Sequence, residues 1–471
     1  MRLDELARCG LTVPPGAGAT EVTAITADSR EVAPGALFFA LPGSRLDGRR
    51  FVADAIARGA AAIALPEDAE PGWPVPVLVA PHPQRALAFA AAAFHPGQPE
   101  AAVGVTGTNG KTSTADFVRQ ICALAGHRAA SLGTLGLVAD GLPPEETLTT
   151  PGPVALHRIL SRLHGAGITH LAMEASSHGL HQGRLDAVRL LAAGFTSFTR
   201  DHLDYHGTLD AYREAKLALF RRGMVRPGGL AVLSAALDAP TLRAAQEAAA
   251  AARLDTEVVK VRDWRPLPGG QAFSFRGQAL ELAIPGRFQA DNALVATALA
   301  RAMGVPDPWA LLPRLVGVRG RMELAATLPN GAAAYVDYAH TPDALSRLLE
   351  ALRPHVAPGA RLHVLFGAGG DRDPGKRPLM GAAAAAGADR VWVTDDNPRS
   401  EDPAAIRRAV LQGAPGAVDA GGRAAAIARA LGALGPGDVL AVAGKGHEQG
   451  QTIGGETLPF DDASVVRGLV G

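Results

Sequence analysis

Residues 104–114, GVTGTNGKTST, set glycines at 104, 107 and 110 ahead of a lysine and a hydroxyl, Lys111 and Thr112. Glycines let successive backbone N–H groups turn inward around an anion. A lysine at the end of such a loop reaches β- and γ-phosphates, and the hydroxyl after it can hold a magnesium ion. The spacing departs from the common phosphate loop G-x-x-x-x-G-K-[ST], whose first glycine would fall on Val105. The flanks argue for the same chemistry. AAVGV before the loop reads as a strand, and Phe117, Val118, Ile121 and Leu124 after it recur as one face of a helix. A strand, a glycine loop and a helix in that order predict a nucleoside triphosphate site rather than a decorative turn.

Further stretches carry titratable side chains. MEASSHGLHQGR puts Glu174 at a strand end, followed by Ser176, Ser177, His178, Gln182 and Arg184. In TSFTRDHLDYHGTLDAYREAKLALF, His202 follows another strand, and Lys216 sits on a helix with Tyr212 four residues before it and Phe220 four after. That spacing puts the lysine on an apolar face. By pattern alone it reads as a lysine whose stem covers hydrophobic surface while its ammonium reaches water. His202 alone could equally be a capping or packing histidine, and Glu174 half of a surface ion pair. Nearer the C-terminus stand GGDRDPGKR (369–377), DDNPR (395–399) and GKGHE (444–448). Arg399 offers a planar fork matched to a carboxylate, Arg372 a second cation, and Glu448 an acceptor for an ammonium. The set fits a ligand bearing both charges at its distal end. The alternative is that Arg399 pairs with an acid close by, such as Glu401 or Asp402.

These side chains need rigid elements behind them. THLAMEA, LLAAGFTSF and GGLAVLS alternate with helical stretches such as Ala211 to Phe220, and RLHVLFG, DRVWVTD and DVLAVAG repeat the logic later. Such alternation predicts parallel, helix-covered sheets, where ligands collect beyond the carboxyl ends of strands. The polar clusters fall at those ends. HPGQPE (95–100) and the proline-bearing stretch 304–323 separate the segments. The expected fold class is α/β with three domains, 1–98, 99–316 and 317–471: a central parallel-sheet domain with the phosphate loop lies between an N-terminal domain and a Rossmann-like C-terminal one. A length of 471 residues agrees, at roughly 100–200 residues per domain. Lys+Arg and Asp+Glu are both 46, so no global field draws the chain to nucleic acid or an anionic membrane. MRLDELARCG carries acids where a leader would be basic, and the apolar run Ala86 to Phe94 is far shorter than the roughly 20 residues of a membrane span. The expectations are a cytoplasmic protein, no nucleic acid and no membrane span, with Cys9 and Cys122 as ordinary buried thiols.

Taken in order, GVTGTNGKTST, EASSHGLHQGR and RDHLDYHGTLDAYREAK resemble the central domain of the Mur ligases, ATP-dependent amide-forming enzymes of peptidoglycan precursor synthesis. The family's loop is G-T-[NS]-G-K-[ST], which makes Gly107 its leading glycine. TADSREVAPGALFFALPGSRLDGRRF resembles the UDP-binding N-terminal domain, while PGRFQADNALVATALA, VRGRME and VDYAHTPDAL resemble the adenosine-binding region. GAGGDRDPGKRPLM, DDNPR and GKGHEQGQ resemble the C-terminal domain of the diaminopimelate-adding members.

The resemblance implies roles residue by residue. ATP and Mg2+ would bind at Gly107, Thr108, Asn109, Gly110, Lys111, Thr112 and Ser113, with Asn292, Arg321, Asp337 and His340 on the nucleotide side. Lys216 would carry a carbamate formed with carbon dioxide, a reaction that needs the amine neutral. The carbamate and His202 would hold one magnesium ion, Thr112 and Glu174 another, and Lys111, Lys216, His202 and Glu174 would form the catalytic set. Ser29, Ser44, Arg45 and Leu46 would face the UDP group, and Thr149 and Thr150 with Ser176, Gln182 and Arg184 the muramoyl-dipeptide. Arg372, Asp396, Asn397, Pro398, Arg399, Gly444 and Glu448 would receive the amino acid. The implied reaction adds meso-diaminopimelate to the D-Glu of UDP-MurNAc-L-Ala-D-Glu through an acyl phosphate, with Arg399 and Arg372 as buried cations that reject lysine. Three positions depart from the family: Gln289 stands where asparagine is usual, Ala175 replaces valine, and Leu148 precedes the two threonines where asparagine is common.

Overall fold

Runs of small and branched apolar residues become strands with both faces covered, as parallel sheets require. The strand Ala101–Thr106 is buried at every position and lies near the middle of a seven-stranded sheet. Its order is Asp255–Val259, Val225–Ser234, Leu190–Phe195, Ala101–Thr106, His170–Glu174, Ala129–Gly133, Gly136–Ala139. All neighbours are parallel except the last pair. The structure, a computed structural model, describes residues 1–42, 47–66, 72–143, 145–267 and 269–471. Ser44, Arg45 and Leu46 lie outside them.

The chain divides into two units, Met1–Val259 with Val295–Pro308, and Lys260–Leu294 with Trp309–Gly471. In the first, the helix Lys111–Leu124 buries Phe117, Val118 and Ile121, the face marked by their spacing. The helix Leu209–Arg221 starts where the Thr208 hydroxyl accepts from Ala211 N at 3.1 Å, and buries Tyr212, Lys216 and Phe220. A separate parallel sheet of four short strands, Ala24–Thr26, Ala36–Phe39, Ala62–Leu65 and Val77–Val79, shares a core with the helix Pro83–Phe94.

The second unit holds a six-stranded sheet in the order Glu323–Thr327, Ala333–Asp337, Val439–Ala443, Leu362–Phe366, Arg390–Thr394, Val418–Gly421. It is parallel apart from the edge strand Glu323–Thr327. The α/β class and the parallel sheets are as the sequence predicts. An added three-stranded antiparallel sheet, Arg262–Leu267, Gly270–Phe275 and Gln278–Leu282, has largely exposed outer strands, so no continuous apolar run marks it in the sequence. Among the described residues, no helix is long and apolar enough to cross a membrane.

Candidate functional site

In the first unit the site grows from the end of Ala101–Thr106. Gly107 takes φ 151° and Gly110 φ 87°, which lets the chain turn tightly into the helix Lys111–Leu124. A Cβ at Gly107 would stand 2.0 Å from Thr196 Oγ1, so the loop needs glycine there. The segment after Leu190–Phe195 clamps the loop: Thr108 N donates to Ser197 O at 2.8 Å, and Thr196 Oγ1 donates to Asn109 O at 2.6 Å. Lys111 turns back on its own loop and donates to Gly107 O and Thr108 O, both at 2.9 Å. Asn109 is exposed, Gly110 and Thr112 are half-buried and Ser113 is buried.

Lys216 is buried to its tip, 1% exposed, and its Nζ donates to Gly107 O at 2.7 Å. The snorkelling reading therefore fails for this lysine. Burial, and after it the nearby Lys111 ammonium, push the Lys216 amine well below the ordinary lysine value. Its Nζ lies 4.4 Å from the centre of the Tyr212 ring, and the Tyr212 hydroxyl donates to Thr108 Oγ1 at 3.2 Å. His202, exposed and left-handed at φ 50°, meets the same tyrosine at 6.1 Å between ring centres and His178 at 4.9 Å. Tyr212 thus brings the phosphate loop, Lys216 and His202 into one neighbourhood, a role its spacing showed only as apolar packing.

Glu174 stands at the carboxyl end of His170–Glu174, opposite Val105 in the adjoining strand. It is 2% exposed, and its Oε1 accepts from Thr134 N at 2.7 Å while Oε2 accepts from Thr134 Oγ1 at 3.3 Å. Thr134 is a positioning residue that the sequence did not single out; its one signal is a place in the tight turn after Ala129–Gly133. Thr134 also meets Thr149, their hydroxyls 3.1 Å apart. Thr150, Ser176, Gln182 and Arg184 form one network. Thr150 Oγ1 donates to Glu174 O at 2.9 Å and accepts from Ser176 N at 3.0 Å. Arg184 donates to Thr150 O at 2.5 Å and to Gln182 Oε1 at 2.6 Å. Ser29 opens a short 3-10 turn elsewhere in this unit, half-buried.

The second unit carries the other candidates. Asp337 ends its strand, with Oδ2 accepting from Met322 N and Oδ1 from Ala339 N at 2.8 and 2.9 Å. Burial raises its carboxyl above the ordinary range, and Arg321 opposes that shift. The Arg321 guanidinium lies over the Tyr338 ring at 4.7 Å, and His340 Nδ1 is 2.8 Å from Tyr338 O. Asn292 is buried and donates to Gln289 Oε1 at 3.0 Å, so the departing glutamine occupies that amide.

Around DDNPR, Arg399 is half-buried in a left-handed conformation (φ 53°), with Nη1 donating to Gly370 O at 2.6 Å. The nearby acids are taken by others: Glu401 by Arg377 at 2.7 Å, and Asp402 by the cap of helix Pro403–Leu411 and by Arg408 at 3.5 Å. One expectation needs correcting. Arg372 is exposed and Arg399 only half-buried, so neither is the buried cation that sequence suggested. Charge pattern carries no information on depth. Asp396, Asn397 and Pro398 are buried, with Asn397 Nδ2 donating to Glu448 Oε2 at 2.9 Å; Gly444 N donates to Asp337 O at 3.1 Å.

Three family models match the chain in order: the Mur ligase family catalytic domain at residues 21–100, the Mur ligase middle domain at 105–300 and the Mur ligase glutamate ligase domain at 320–446. The chain is 50% identical over 460 residues to the UDP-N-acetylmuramoyl-L-alanyl-D-glutamate–2,6-diaminopimelate ligase of Caulobacter vibrioides, covering 94% of each. It is 48% identical to the ligase of the same name from Bradyrhizobium diazoefficiens, covering 99% of this chain and 98% of that one. A solved structure of a UDP-N-acetylmuramoyl-L-alanyl-D-glutamate–2,6-diaminopimelate ligase matches with a TM-score of 0.73 and 32% identity, over 100% of this chain and 98% of the other.

Proposed function

The chain belongs to the Mur ligase family, and we propose that it joins meso-diaminopimelate to the D-Glu carboxylate of UDP-MurNAc-L-Ala-D-Glu, driven by ATP, in peptidoglycan precursor synthesis. The observation that carries this reading is near-full-length identity of about half to ligases with that activity. The Asp396–Arg399 loop supports it, because among the described residues no ion pair joins Arg399 to Glu401 or Asp402, the acids closest in sequence. The domains 1–98, 99–316 and 317–471 would bind the UDP group, ATP and the amino acid, in a cytoplasmic enzyme.

The D-Glu carboxylate attacks the γ-phosphorus, ADP leaves, and an acyl phosphate forms. The amino group of diaminopimelate then adds to the acyl carbon, and the tetrahedral intermediate expels phosphate and loses a proton. Nothing here needs a covalent enzyme nucleophile. The chain positions the reactants and offsets charge. The N–H groups of the loop 107–113 and Lys111 hold the phosphates, for which Lys111 leaves the loop carbonyls it now serves. Thr150, Ser176, Gln182 and Arg184, already linked, present one polar surface to the dipeptide. Arg399 and Arg372 receive the distal carboxylate of diaminopimelate, and Glu448 its ammonium.

The donor set suits magnesium. Glu174 lies in a cradle that a Cβ on Gly133 would fill, 2.1 Å from Oε1. The depressed pKa of Lys216 supports a neutral amine able to add carbon dioxide. Thr112 and Glu174 would hold one ion, and His202 with the Lys216 carbamate the second. Bound magnesium supplies positive charge beside the γ-phosphate and the substrate carboxylate.

Phosphate release with ATP and UDP-MurNAc-L-Ala-D-Glu should require meso-diaminopimelate and be poor with L-lysine. Arg399→Ala should raise the KM for diaminopimelate about ten- to a hundred-fold, the range for a lost charged hydrogen bond, with the KM for ATP near its original value. Equal use of L-lysine by the unaltered enzyme would refute the assignment of the amino acid.

A further inference from the structure

One buried cation in the second unit has no part in the scheme above. Lys445 follows the strand Val439–Ala443, and its side chain is 0% exposed. All three ammonium donors are used: on Asn397 Oδ1 at 3.1 Å, Glu448 Oε2 at 3.0 Å and Gly450 O at 2.5 Å. A buried ammonium is costly unless acceptors surround it. Here two come from its own loop, Glu448 and Gly450, and the third from Asn397, 48 residues earlier.

The consequences for the neighbours are specific. Asn397 Oδ1 takes Lys445 and also Thr452 N at 3.0 Å, so its amide has one orientation, with Nδ2 donating to Glu448 Oε2 at 2.9 Å. Glu448 Oε2 therefore holds two donors, and among the described residues no hydrogen bond reaches Oε1. The glutamate side chain is 34% exposed, within reach of a ligand. The backbone joins in: Gly370 N donates to Asn397 O at 2.9 Å, and Gly370 O accepts from Arg399 at 2.6 Å. Lys445 thus connects the carboxylate-receiving arginine and the ammonium-receiving glutamate through Asn397.

We propose that Lys445 is a positioning and specificity residue of the amino-acid pocket: it pins Glu448 by one oxygen, so that the ligand's ammonium is received at Oε1 by a carboxylate already half neutralised. This rests on the reading of the second unit as the amino-acid site. A Lys445–Glu448 pair has little net pull on a bare ammonium, so an amino acid must also bring the carboxylate that Arg399 receives. Diaminopimelate has that carboxylate; L-lysine does not. Lys445 therefore adds to the discrimination without touching the substrate.

The test is Lys445→Gln, which keeps a donor and drops the charge, beside Lys445→Met, which drops both. Each should raise the KM for meso-diaminopimelate about tenfold and narrow the preference over L-lysine by a similar factor, with the KM for ATP within about twofold as a check that the fold survives. Because Lys445 acts through Glu448, adding Lys445→Gln to Glu448→Gln should raise the KM for diaminopimelate no further than Glu448→Gln alone. An unchanged preference, additive effects, or failure of both variants to fold would overturn the proposal and leave a purely structural lysine. Arg399→Ala separates the two levels. If it leaves the KM for diaminopimelate unchanged, the pocket itself is misassigned; if it raises that KM while Lys445→Gln leaves the preference intact, only the present inference falls.

Discussion

If Lys216 has the role proposed for it, stability and activity pull against each other at this residue, and Lys216→Met exposes the conflict. Lys216 is 1% exposed, and among the described residues its one hydrogen bond goes to Gly107 O, a carbonyl that also accepts from Lys111 at 2.9 Å. Removing Lys216 therefore leaves no orphan acceptor. Methionine has a similar unbranched length and sets apolar atoms against Tyr212 and the core around Phe220. Relieving a poorly satisfied buried polar group is worth about 1–3 kcal/mol, or a melting temperature higher by about 2–10 °C for a unit of this size. The pH dependence has a definite sign. The native amine titrates well below 10.5, while the unfolded amine titrates near it. Between the two values the unfolded chain binds the proton that the native chain lacks, so the stability of the unaltered protein rises with pH. The penalty imposed by Lys216 is full below the native pKa and fades as pH rises towards 10.5. The methionine variant should gain most at neutral pH or below and lose its advantage in alkali, as read by thermal melts in buffers free of carbon dioxide. Its phosphate release should fall to a small fraction, with bicarbonate or without. A variant that melted lower than the parent at neutral pH, by an amount flat across the pH series, would refute the argument.

Two further outcomes are expected. Gly133→Ala puts a Cβ 2.1 Å from Glu174 Oε1 and must push the carboxylate away from Thr134; kcat should drop about a hundredfold and the magnesium concentration for half activity should rise, so an unchanged magnesium dependence would remove Glu174 from the ion site. Asp462→Asn breaks the Arg423–Asp462 pair, which is 0% exposed on both sides at 2.6 Å, and should cost about 3–5 kcal/mol, read as a lower urea midpoint; a shift below about 1 kcal/mol would mean that the Arg423 bonds to Ala443 O and Asp395 O suffice by themselves.

What the sequence discloses and what it hides follow from the same physics. The strands Ala101–Thr106 and His170–Glu174 are legible because burial on both faces forces continuous apolar runs, and the polar residues must then gather where the runs stop. Depth along a side chain leaves no such trace. The exposed Arg372 and the half-buried Arg399 look alike in sequence, and Lys445, between two glycines, looks like a loop cation although Glu448, Gly450 O and the distant Asn397 take its ammonium. The Asn397 contact spans 48 residues and leaves no trace in local pattern.

Lys216 shows how far spacing reaches before geometry must take over. Tyr212 and Phe220 at four residues either side fix the face of the helix, and the alternatives there are a lysine that escapes to water and one that does not. What closes the escape is the phosphate loop itself: Gly107 O, more than a hundred residues earlier, lies 2.7 Å from Nζ and belongs to the turn that Thr196 and Ser197 clamp in place. The same carbonyl takes the half-buried Lys111. Two cationic groups on one oxygen repel, and that repulsion adds to burial, the larger cause, in holding the Lys216 amine well below the ordinary lysine value. The half-buried Lys111 keeps contact with water. The proposed carbamate on Lys216 draws on that asymmetry, which spacing alone does not disclose, because addition of carbon dioxide needs a neutral amine.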